Sequence, residues 1–327
     1  MKKTIALLLA FCLVLSLTAC GAQPAETPAD DVTIRLGGLK GPTTMGMVKL
    51  LDDNDKGLTE NKYTYQIAAA ADELTPQLLK GELDILAVPV NLAAILHQNS
   101  EQSVQLLAVN TLGVLYVVEN GETVTNWESL RGKTIYSAGK GTTPEYSFRY
   151  LLAKNGLDMD TDVNMQWKSE PSEIVPLLAA EENAVAVLPQ PFVTVASTKV
   201  EGLRTAMDLT AEWDKLGEKS RLITGGVIVR KAFAEEHPAA LSKFIEEYAA
   251  SVEYVNANPA EAAVLIEAHD IVKAPIAEKA IPNCNLVCIT GDEMREIADG
   301  YIASLFEQNP KAVGGVMPGD AFYCNVG

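Results

Sequence analysis

Short apolar or alternating runs take turns with stretches of helical spacing along most of the chain. The run at 32–36 alternates apolar and polar side chains, as a half-buried strand does, and Met47, Val48 and Leu51 follow it at helical spacing. Glycine, proline and asparagine separate such runs, as they do at turns and helix ends. Strands that alternate with helices predict sheets covered on both faces. We therefore expect an α/β fold whose sheets are mainly parallel.

The predicted elements form two series, followed by a helical region. The first series has strands at 32–38, 63–70 and 84–88 and helices at about 43–53, 73–80 and 92–98. Two apolar runs, at 104–109 and 113–118, come next. The second series has strands at 133–137, 163–168 and 184–188 and helices at about 144–155, 173–181 and 191–198. A strand at 227–230 and helices at 238–256, 259–269 and 292–308 complete the chain.

The two series repeat at an offset of one hundred residues. A glycine-rich turn with Lys40 and Gly41 returns as a turn with Lys140 and Gly141, and each turn joins a strand to a helix. The repeat predicts two similar halves. Ligands of α/β sheets bind beyond the carboxyl ends of the strands, where these turns lie, so we expect a cleft between the halves.

The chain is expected to pass from the first half to the second at 110–112 and to return at 222–226. The first lobe would then comprise residues 32–111 and 225–327, and the second lobe residues 112–224. We expect the final segment, 314–323, to pack back on the first lobe.

The first 31 residues carry an export signal and a tether. Residues 1–19 have two lysines followed by an apolar run that is shorter than the ~20 residues of a membrane-spanning helix. The end of this run, Leu17-Thr18-Ala19-Cys20, resembles a bacterial lipobox, which predicts lipidation of Cys20. A transmembrane anchor or an ordinary cleaved signal is the alternative. Residues 20–31 are small, polar and proline-bearing, as in a flexible tether.

Composition narrows the range of partners. The chain of 327 residues is 48% hydrophobic and long enough for two domains. Its net charge of −17 argues against nucleic acid or an anionic membrane surface as a partner, because both attract basic proteins. Contact with the membrane is therefore expected through the lipid alone.

Three cysteines, Cys284, Cys288 and Cys324, remain outside the export signal. An odd number means at least one free thiol. On a strand, Cys284 and Cys288 would lie too far apart to form a disulfide, whereas a bond from Cys324 to either of them stays open. We interpret all three as small buried residues and expect no metal site.

Several short segments resemble those of a known family. They are Leu130-Arg131-Gly132-Lys133-Thr134-Ile135, Gly139–Thr143, Leu151–Leu157, Gly81–Ile85 and Asn258–Ala263. In this order, behind a lipobox and a tether, they are similar to substrate-binding lipoproteins of bacterial ABC importers, in the branch for nitrate, sulfonates, taurine and thiamine-pyrimidine precursors. The resemblance implies a two-lobed periplasmic-binding-protein fold of type II that closes on its ligand by hinge motion. It also implies a permease and an ATPase as partners. We expect a monomer without a cofactor, outside the cytoplasm, on a Gram-positive surface or in a Gram-negative periplasm.

The candidate ligand-binding residues lie in the strand-end loops of both halves. They are Lys40, Gly41, Thr43, Thr44, Asn91, Lys140, Gly141, Thr142, Thr143, Tyr146 and Gln190. Backbone N–H groups and hydroxyls can hold oxygens and the lysines can supply charge, so the pattern predicts a small anionic or zwitterionic ligand. Each lysine can equally be a solvated loop charge, and each threonine a helix cap. Asp72 and Glu73 favour a cationic ligand instead, and Tyr146, Trp167 and Phe192 can stack on a ring or belong to the core.

An enzyme is disfavoured because no catalytic constellation is present in the sequence. His97, His237 and His269 lie outside the predicted strand-end loops, and no pair of them has metal-ligand spacing. No Gly-x-Ser-x-Gly motif and no phosphate-binding Gly-x-x-x-x-Gly-Lys motif occurs. Pyrimidine-synthesising relatives of this branch depend on histidine and iron, and this chain has no comparable stretch. The remaining alternative is an extracytoplasmic sensor that delivers its ligand to a receptor.

Overall fold

Two β-sheets, both covered by helices, build the part of the chain that the computed structural model describes, residues 32–217 and 219–325. The export signal, Cys20 and the tether lie outside these residues. The strands are β1 (Thr33–Leu39), β2 (Lys62–Ala68), β3 (Ile85–Pro89), β4 (Val104–Leu112), β5 (Leu115–Glu119), β6 (Thr134–Ala138), β7 (Asn164–Lys168), β8 (Val185–Pro189), β9 (Arg204–Asp208), β10 (Ile223–Arg230) and β11 (Leu286–Ile289).

The helices are numbered in chain order. They are α1 (Pro42–Met45), α2 (Val48–Asp55), α3 (Thr75–Lys80), α4 (Val90–Asn99), α5 (Thr143–Lys154), α6 (Ile174–Ala180), α7 (Phe192–Lys199), α8 (Leu209–Asp214), α9 (Lys231–Glu236), α10 (Pro238–Ala257), α11 (Pro259–Ala268), α12 (Ala274–Ala280) and α13 (Gly291–Gln308).

The strand orders confirm the repeat that the sequence predicts. The first sheet runs β11-β4-β10-β3-β1-β2 and the second runs β7-β6-β8-β5-β9. Strands β2, β1 and β3 therefore occupy the same places as β7, β6 and β8. The next strand is β10 beside β3 in the first sheet and β5 beside β8 in the second. Each begins near the carboxyl end of its neighbour, where Gly225 pairs with Pro89 and Leu115 pairs with Pro189. We call each sheet with its helices a lobe.

The prediction of mainly parallel sheets is wrong in its proportions. Among the described strands, four pairings are parallel and five are antiparallel. The reason lies in where the chain crosses between the sheets. Strands β5 and β10 each enter at the edge where the neighbouring strand ends, so each must run back antiparallel to it.

In the described part of the chain, two crossings connect the sheets. Strand β4 reaches Leu112 in the first sheet and β5 begins at Leu115 in the second, so the chain crosses at Gly113 and Val114. Residues 110–112, where the sequence predicts the first crossing, are the last three residues of β4. On the way back, α8 follows the edge strand β9, and the chain re-enters the first sheet at Ile223.

Some elements differ from the sequence prediction. The single helix predicted at 43–53 is two helices, α1 and α2, because a serine of α10 interrupts its hydrogen bonds. The Ser251 hydroxyl donates to the Gly46 carbonyl (2.7 Å) and accepts from Leu50 N–H (3.0 Å), where a helix would join those two groups directly. The elements β9, α8, α9, α12 and β11 are too short or too polar to show a clear period, and the sequence prediction missed them.

The helices after the second sheet pack as their spacing predicts. Leu241, Phe244, Tyr248 and Val252 of α10 are buried in the first lobe's core. The final segment returns to the first sheet, as expected, where Tyr323 pairs with Leu106 and Cys324 N–H donates to the Leu106 carbonyl (2.8 Å). Helix α13 contacts both β4 of the first sheet and α5 of the second lobe. The two lobes therefore share packing beyond their crossing strands.

A buried carboxylate stands at the amino end of β3. Asp84 is 1% exposed and accepts hydrogen bonds from Arg35 N–H (3.0 Å), Arg35 Nε (2.8 Å) and Arg230 Nη2 (2.8 Å). Burial alone would raise the pKa of Asp84, but these hydrogen bonds hold its pKa below the ordinary value.

The second sheet has a counterpart at the amino end of β8. Glu119, opposite Val185 in the sheet, is fully buried and pairs with Arg204 and with the N–H groups of Thr123 and Val124. Both carboxylates lie at the strand ends away from the predicted ligand loops. Each carboxylate bonds an arginine of a neighbouring strand and so ties strands together at that edge of its sheet.

The three cysteines carry free thiols, so the open question of a disulfide from Cys324 is answered. Cys284 and Cys324 are buried, as predicted, and Cys288 is half-buried. Burial raises the pKa of the Cys284 thiol to about 12 and that of the other two to about 11. These thiols are protonated and serve as small apolar side chains.

Candidate functional site

The helices that follow β3 and β6 meet at their first turns. Thr143, the first residue of α5, donates its hydroxyl to Asn91 Oδ1 of α4 at 3.3 Å. Both side chains are more than nine-tenths buried. Two residues that the sequence nominates in separate halves are thus in direct contact, and this contact marks the interface between the two sets of strand-end loops.

The first glycine-rich turn sends its threonines inward. Asn110 of β4 donates to the Thr43 carbonyl (2.8 Å), which ties the turn to the first sheet. Thr44 is fully buried, and among the described residues its hydroxyl has no hydrogen-bond partner. A Cβ at Gly38 would lie 2.4 Å from that hydroxyl oxygen, so only glycine leaves room for it. An unpaired buried hydroxyl is costly in a folded protein and is a group that a bound solute can satisfy.

The second glycine-rich turn is closed on itself at its exposed side. Gly141, at φ 77°, donates its N–H to Glu145 Oε2 (2.6 Å), and Thr142 donates its hydroxyl to the Gly139 carbonyl (2.6 Å). Both residues are exposed. Of the threonines in this turn, Thr143 alone is buried.

Further polar groups continue from Thr143 along α5 to α13. The hydroxyls of Ser147 and Tyr301 lie 3.1 Å apart, and Asn309 donates to the Tyr146 hydroxyl (2.9 Å). Burial raises the pKa of Tyr301 to about 12, so its hydroxyl remains protonated. Tyr146 is 8% exposed and belongs to the core as well. We call Asn91, Thr143, Ser147, Tyr146, Tyr301 and Asn309 the inter-lobe polar line.

The two candidate lysines lie outside this line. Lys40 forms an ion pair with Asp270, a residue whose side chain is 88% exposed. Lys140 is also exposed, and its charge contributes, after the hydrogen bond from Arg149, to lowering the pKa of Asp160. In this conformation both ammonium groups are solvated loop charges, which was the alternative interpretation.

The acidic alternative lies in exposed turns as well. Glu73 accepts from Ala70 N–H (2.9 Å), and one hundred residues later Glu173 accepts from Glu170 N–H (3.1 Å). The repeat therefore extends to these two short turns. Asp72 beside them is exposed. Trp167 and Phe192, the candidate stacking rings, are half-buried.

Gln190 follows β8 and is 4% exposed. The side-chain Oε1 of Gln190 accepts from the Thr194 hydroxyl (2.8 Å) and from the Thr194 backbone N–H (3.3 Å). The backbone N–H of Gln190 donates to the Val114 carbonyl (2.9 Å). These contacts fix the side chain next to the first crossing between the sheets. A cis peptide bond joins it to Pro191.

Sequence reasoning missed Asn110, Ser147, Tyr301 and Asn309. Asn110 had a usable signal, since a polar amide directly follows the apolar run Leu106–Val109. Ser147 and Tyr301 had none, because a serine or tyrosine at helical spacing is ordinary in a core. Their role follows from the meeting of α5 and α13, which are far apart in the chain.

Neither a membrane span nor a metal centre emerges from the described residues. Over 32–217 and 219–325, every helix falls short of the length and apolarity needed to cross a bilayer. The same residues contain no group of three metal-ligating side chains. His97 is a core residue whose Nδ1 lies 2.7 Å from the Val104 carbonyl and whose ring packs edge-on against Phe322.

Solved structures with this fold come from several bacteria. An ABC transporter protein from Parabacteroides distasonis is 25% identical and superposes with a TM-score of 0.76 over 90% of this chain and 99% of its own. The periplasmic aliphatic sulphonate binding protein SsuA from Escherichia coli is 16% identical, with a TM-score of 0.70 over 88% and 91%. The alkanesulfonate-binding protein SsuA from Xanthomonas axonopodis, bound to MOPS, is 13% identical, with a TM-score of 0.61 over 90% and 96%. The fold is that of the periplasmic binding proteins, as the sequence predicts.

No curated protein sequence matches the chain. A family model does, and it is described as the NMT1-like family. It matches residues 45–269, which is more than half of the chain and includes Asn91, Thr143 and Gln190. The resemblance to this branch of substrate-binding proteins is thereby confirmed, and the chain belongs to the NMT1-like family.

Proposed function

We propose that this protein is a solute-binding component of an ABC importer that captures a small molecule between its two lobes. The contact between Asn91 and Thr143 carries the proposal, because it brings together the strand-end loops of both sheets. Ligands of such sheets bind at this edge. The Parabacteroides protein, a transporter protein at 25% identity over nearly its whole length, supports the same function.

The inter-lobe polar line supports capture without chemical change. Its side chains are hydroxyls and amides, which can donate and accept hydrogen bonds but are weak acids and bases near neutral pH. The pKa of Tyr301 near 12 keeps it from acting as a base at that pH. The unpaired hydroxyl of Thr44 supplies a further group for a bound solute.

We further propose that the first lobe comprises residues 32–111 and 225–327 and the second lobe residues 112–224. Cys20 is the lipid anchor, outside the cytoplasm. A permease and an ATPase receive the solute, and the binding protein acts as a monomer. Besides Asn91, Thr143 and Thr44, the ligand site includes Lys40, Gly41, Thr43, Lys140, Gly141, Thr142, Tyr146 and Gln190.

A thermal-shift screen tests capture. Purified protein is heated with sulfonates, nitrate, carboxylates, amino acids and thiamine pyrimidines. Thr143→Ala is the site variant, and Thr125→Ala, at an exposed threonine outside the proposed site, is the control. A solute at a hundred times its dissociation constant adds about 2.7 kcal/mol of stability, a shift of several degrees. We expect the shift to shrink in Thr143→Ala and to persist in Thr125→Ala. Chemical turnover of a bound solute by the pure protein would refute the proposal.

A further inference from the structure

A groove of about 260 Å³ lies between the lobes beside Gln190. The second lobe contributes one wall and the first lobe contributes the other. Its lining includes Tyr116, Gln190 and Thr194 of the second lobe and Lys279 and Asn283 of the first. The Tyr116 hydroxyl donates to the Asn283 carbonyl (2.9 Å), so a direct hydrogen bond already joins the two walls.

The amide of Gln190 presents donors to this groove. Its oxygen is held by both donors of Thr194, which fixes the orientation of the side chain. With Oε1 so engaged, the NH₂ group makes no hydrogen bond to the described residues, although the residue is 96% buried, since its exposure is 4%. The Gln190 amide nitrogen is therefore free to donate to a molecule in the groove that the residue lines.

Lys279 supplies a positive charge from the opposite wall. It lies in the last turn of α12, and its ammonium group has no ion pair within the described residues. Lys273, at the start of the same helix, is in contrast paired with Glu267 (3.0 Å). The groove is therefore lined by an ammonium group without a carboxylate partner and by the Gln190 amide.

No carboxylate lines the groove within the described residues. Asp208 is paired with Tyr116 in the sheet, and its negative charge adds to the rise in the Tyr116 pKa that burial causes. Its carboxylate caps α8 by accepting from the N–H groups of Thr210 (2.9 Å) and Ala211 (3.4 Å). The groove thus combines a cation, a fixed amide donor and several hydroxyls.

We propose that this groove is an anion subsite in which Lys279 and Gln190 hold one carboxylate or other small oxyanion from opposite lobes. The inference rests on the proposed capture function and specifies where a charged part of the solute binds. An oxyanion accepts from both a lysine ammonium and an amide, and such charge-assisted hydrogen bonds are the strong ones. Because the two donors belong to different lobes, the anion stabilises the closed arrangement of the lobes.

Lys279 lies beyond residue 269, where the family match ends. Gln190, in contrast, lies within the matched segment. The subsite would therefore combine a position inside the family match with one outside it.

The test uses acetate, sulfate and phosphate as probes, titrated against the whole protein at constant ionic strength with chloride as the reference. The key variant is Gln190→Glu. Thr194 donates only to the oxygen of Gln190, and a carboxylate keeps that acceptor, so the local structure survives while the groove receives a negative charge. Exposed Gln166→Glu is the charge-matched control. Lys279→Gln is paired with Lys273→Gln in the same way.

We expect at least one probe to raise the melting temperature more than chloride does in the wild type and in both controls. Gln190→Glu and Lys279→Gln should require about tenfold more of that probe, or more, for the same shift. General salt stabilisation acts on all variants alike and cancels in this comparison. Equal titrations in all five proteins, or no probe exceeding chloride, overturn the subsite. A solute from the wider screen that stabilises wild type and Gln190→Glu equally leaves capture intact and refutes the subsite alone.

Discussion

Asp84→Asn exchanges a buried carboxylate for a neutral amide of nearly the same shape. The native carboxylate accepts from Arg35 and Arg230, whose side chains are 39% and 23% exposed. Removing one partner of a buried ion pair costs about 3–5 kcal/mol. Both guanidinium groups can regain water in the variant, so we expect the lower end, about 3 kcal/mol. At about 2 °C per kcal/mol for a domain of this size, the melting temperature should fall by about 6 °C.

The pH dependence identifies the charge as the cause. Because the folded pKa of Asp84 is depressed, its ion pairs stabilise the protein above the unfolded pKa of about 4 and lose that effect as the pH falls through the folded pKa. Urea unfolding of both proteins at neutral pH and below pH 4 measures the difference in unfolding free energy. We expect this difference to shrink in acid. An equal difference at both pH values would show that packing, and not charge, holds this position.

Three further substitutions probe other parts of the molecule. Thr44→Val removes the unpaired hydroxyl, so the protein without solute should keep its stability or gain up to about 1 kcal/mol in thermal unfolding. The rise in melting temperature that a solute causes should become smaller. A loss of stability without solute would contradict this. Tyr116→Phe deletes the hydrogen bond to the Asn283 carbonyl and should cost about 1 kcal/mol in urea unfolding, and no change would mean that water replaces this bond fully. Glu119→Gln should destabilise by about 3 kcal/mol in the same assay, because Arg204 loses its buried partner, and a cost below that of Tyr116→Phe would refute this ranking.

The sequence predicts the framework of this fold because that framework is periodic. The strands before Pro89 and Pro189 are uniformly apolar, and their buried positions in the two sheets follow from that pattern. Asn91, which follows the strand before Pro89, touches Thr143, which follows β6, so loops from the two sheets do meet. The order of apolar and turn-forming residues predicts which residues lie in a turn, because turn formation depends on the residues of the turn itself.

The directions of side chains within those turns could not be predicted. Lys40 and Thr44 are four residues apart, yet one pairs with a carboxylate on the surface and the other is fully buried. Which of them turns inward depends on how α1 packs against the sheet, and no local signal encodes that. The proximity of Gln190 and Lys279 is harder still to predict, because it arises only when α7 and α12 come together from different lobes.

The place of β10 between β3 and β4 has a consequence for how the protein acquires its structure. The central strand β10 of the first sheet is synthesised only after the entire second lobe. Ala108 of β4 therefore cannot pair with Val227 of β10 until then. Until then, β3 and β4 each leave an apolar edge open, and such edges invite aggregation. The second sheet has no such delay, since all five of its strands lie between Leu115 and Asp208. Newly made chains should thus complete the second lobe first. The first lobe should be completed afterwards, when β10 enters between β3 and β4.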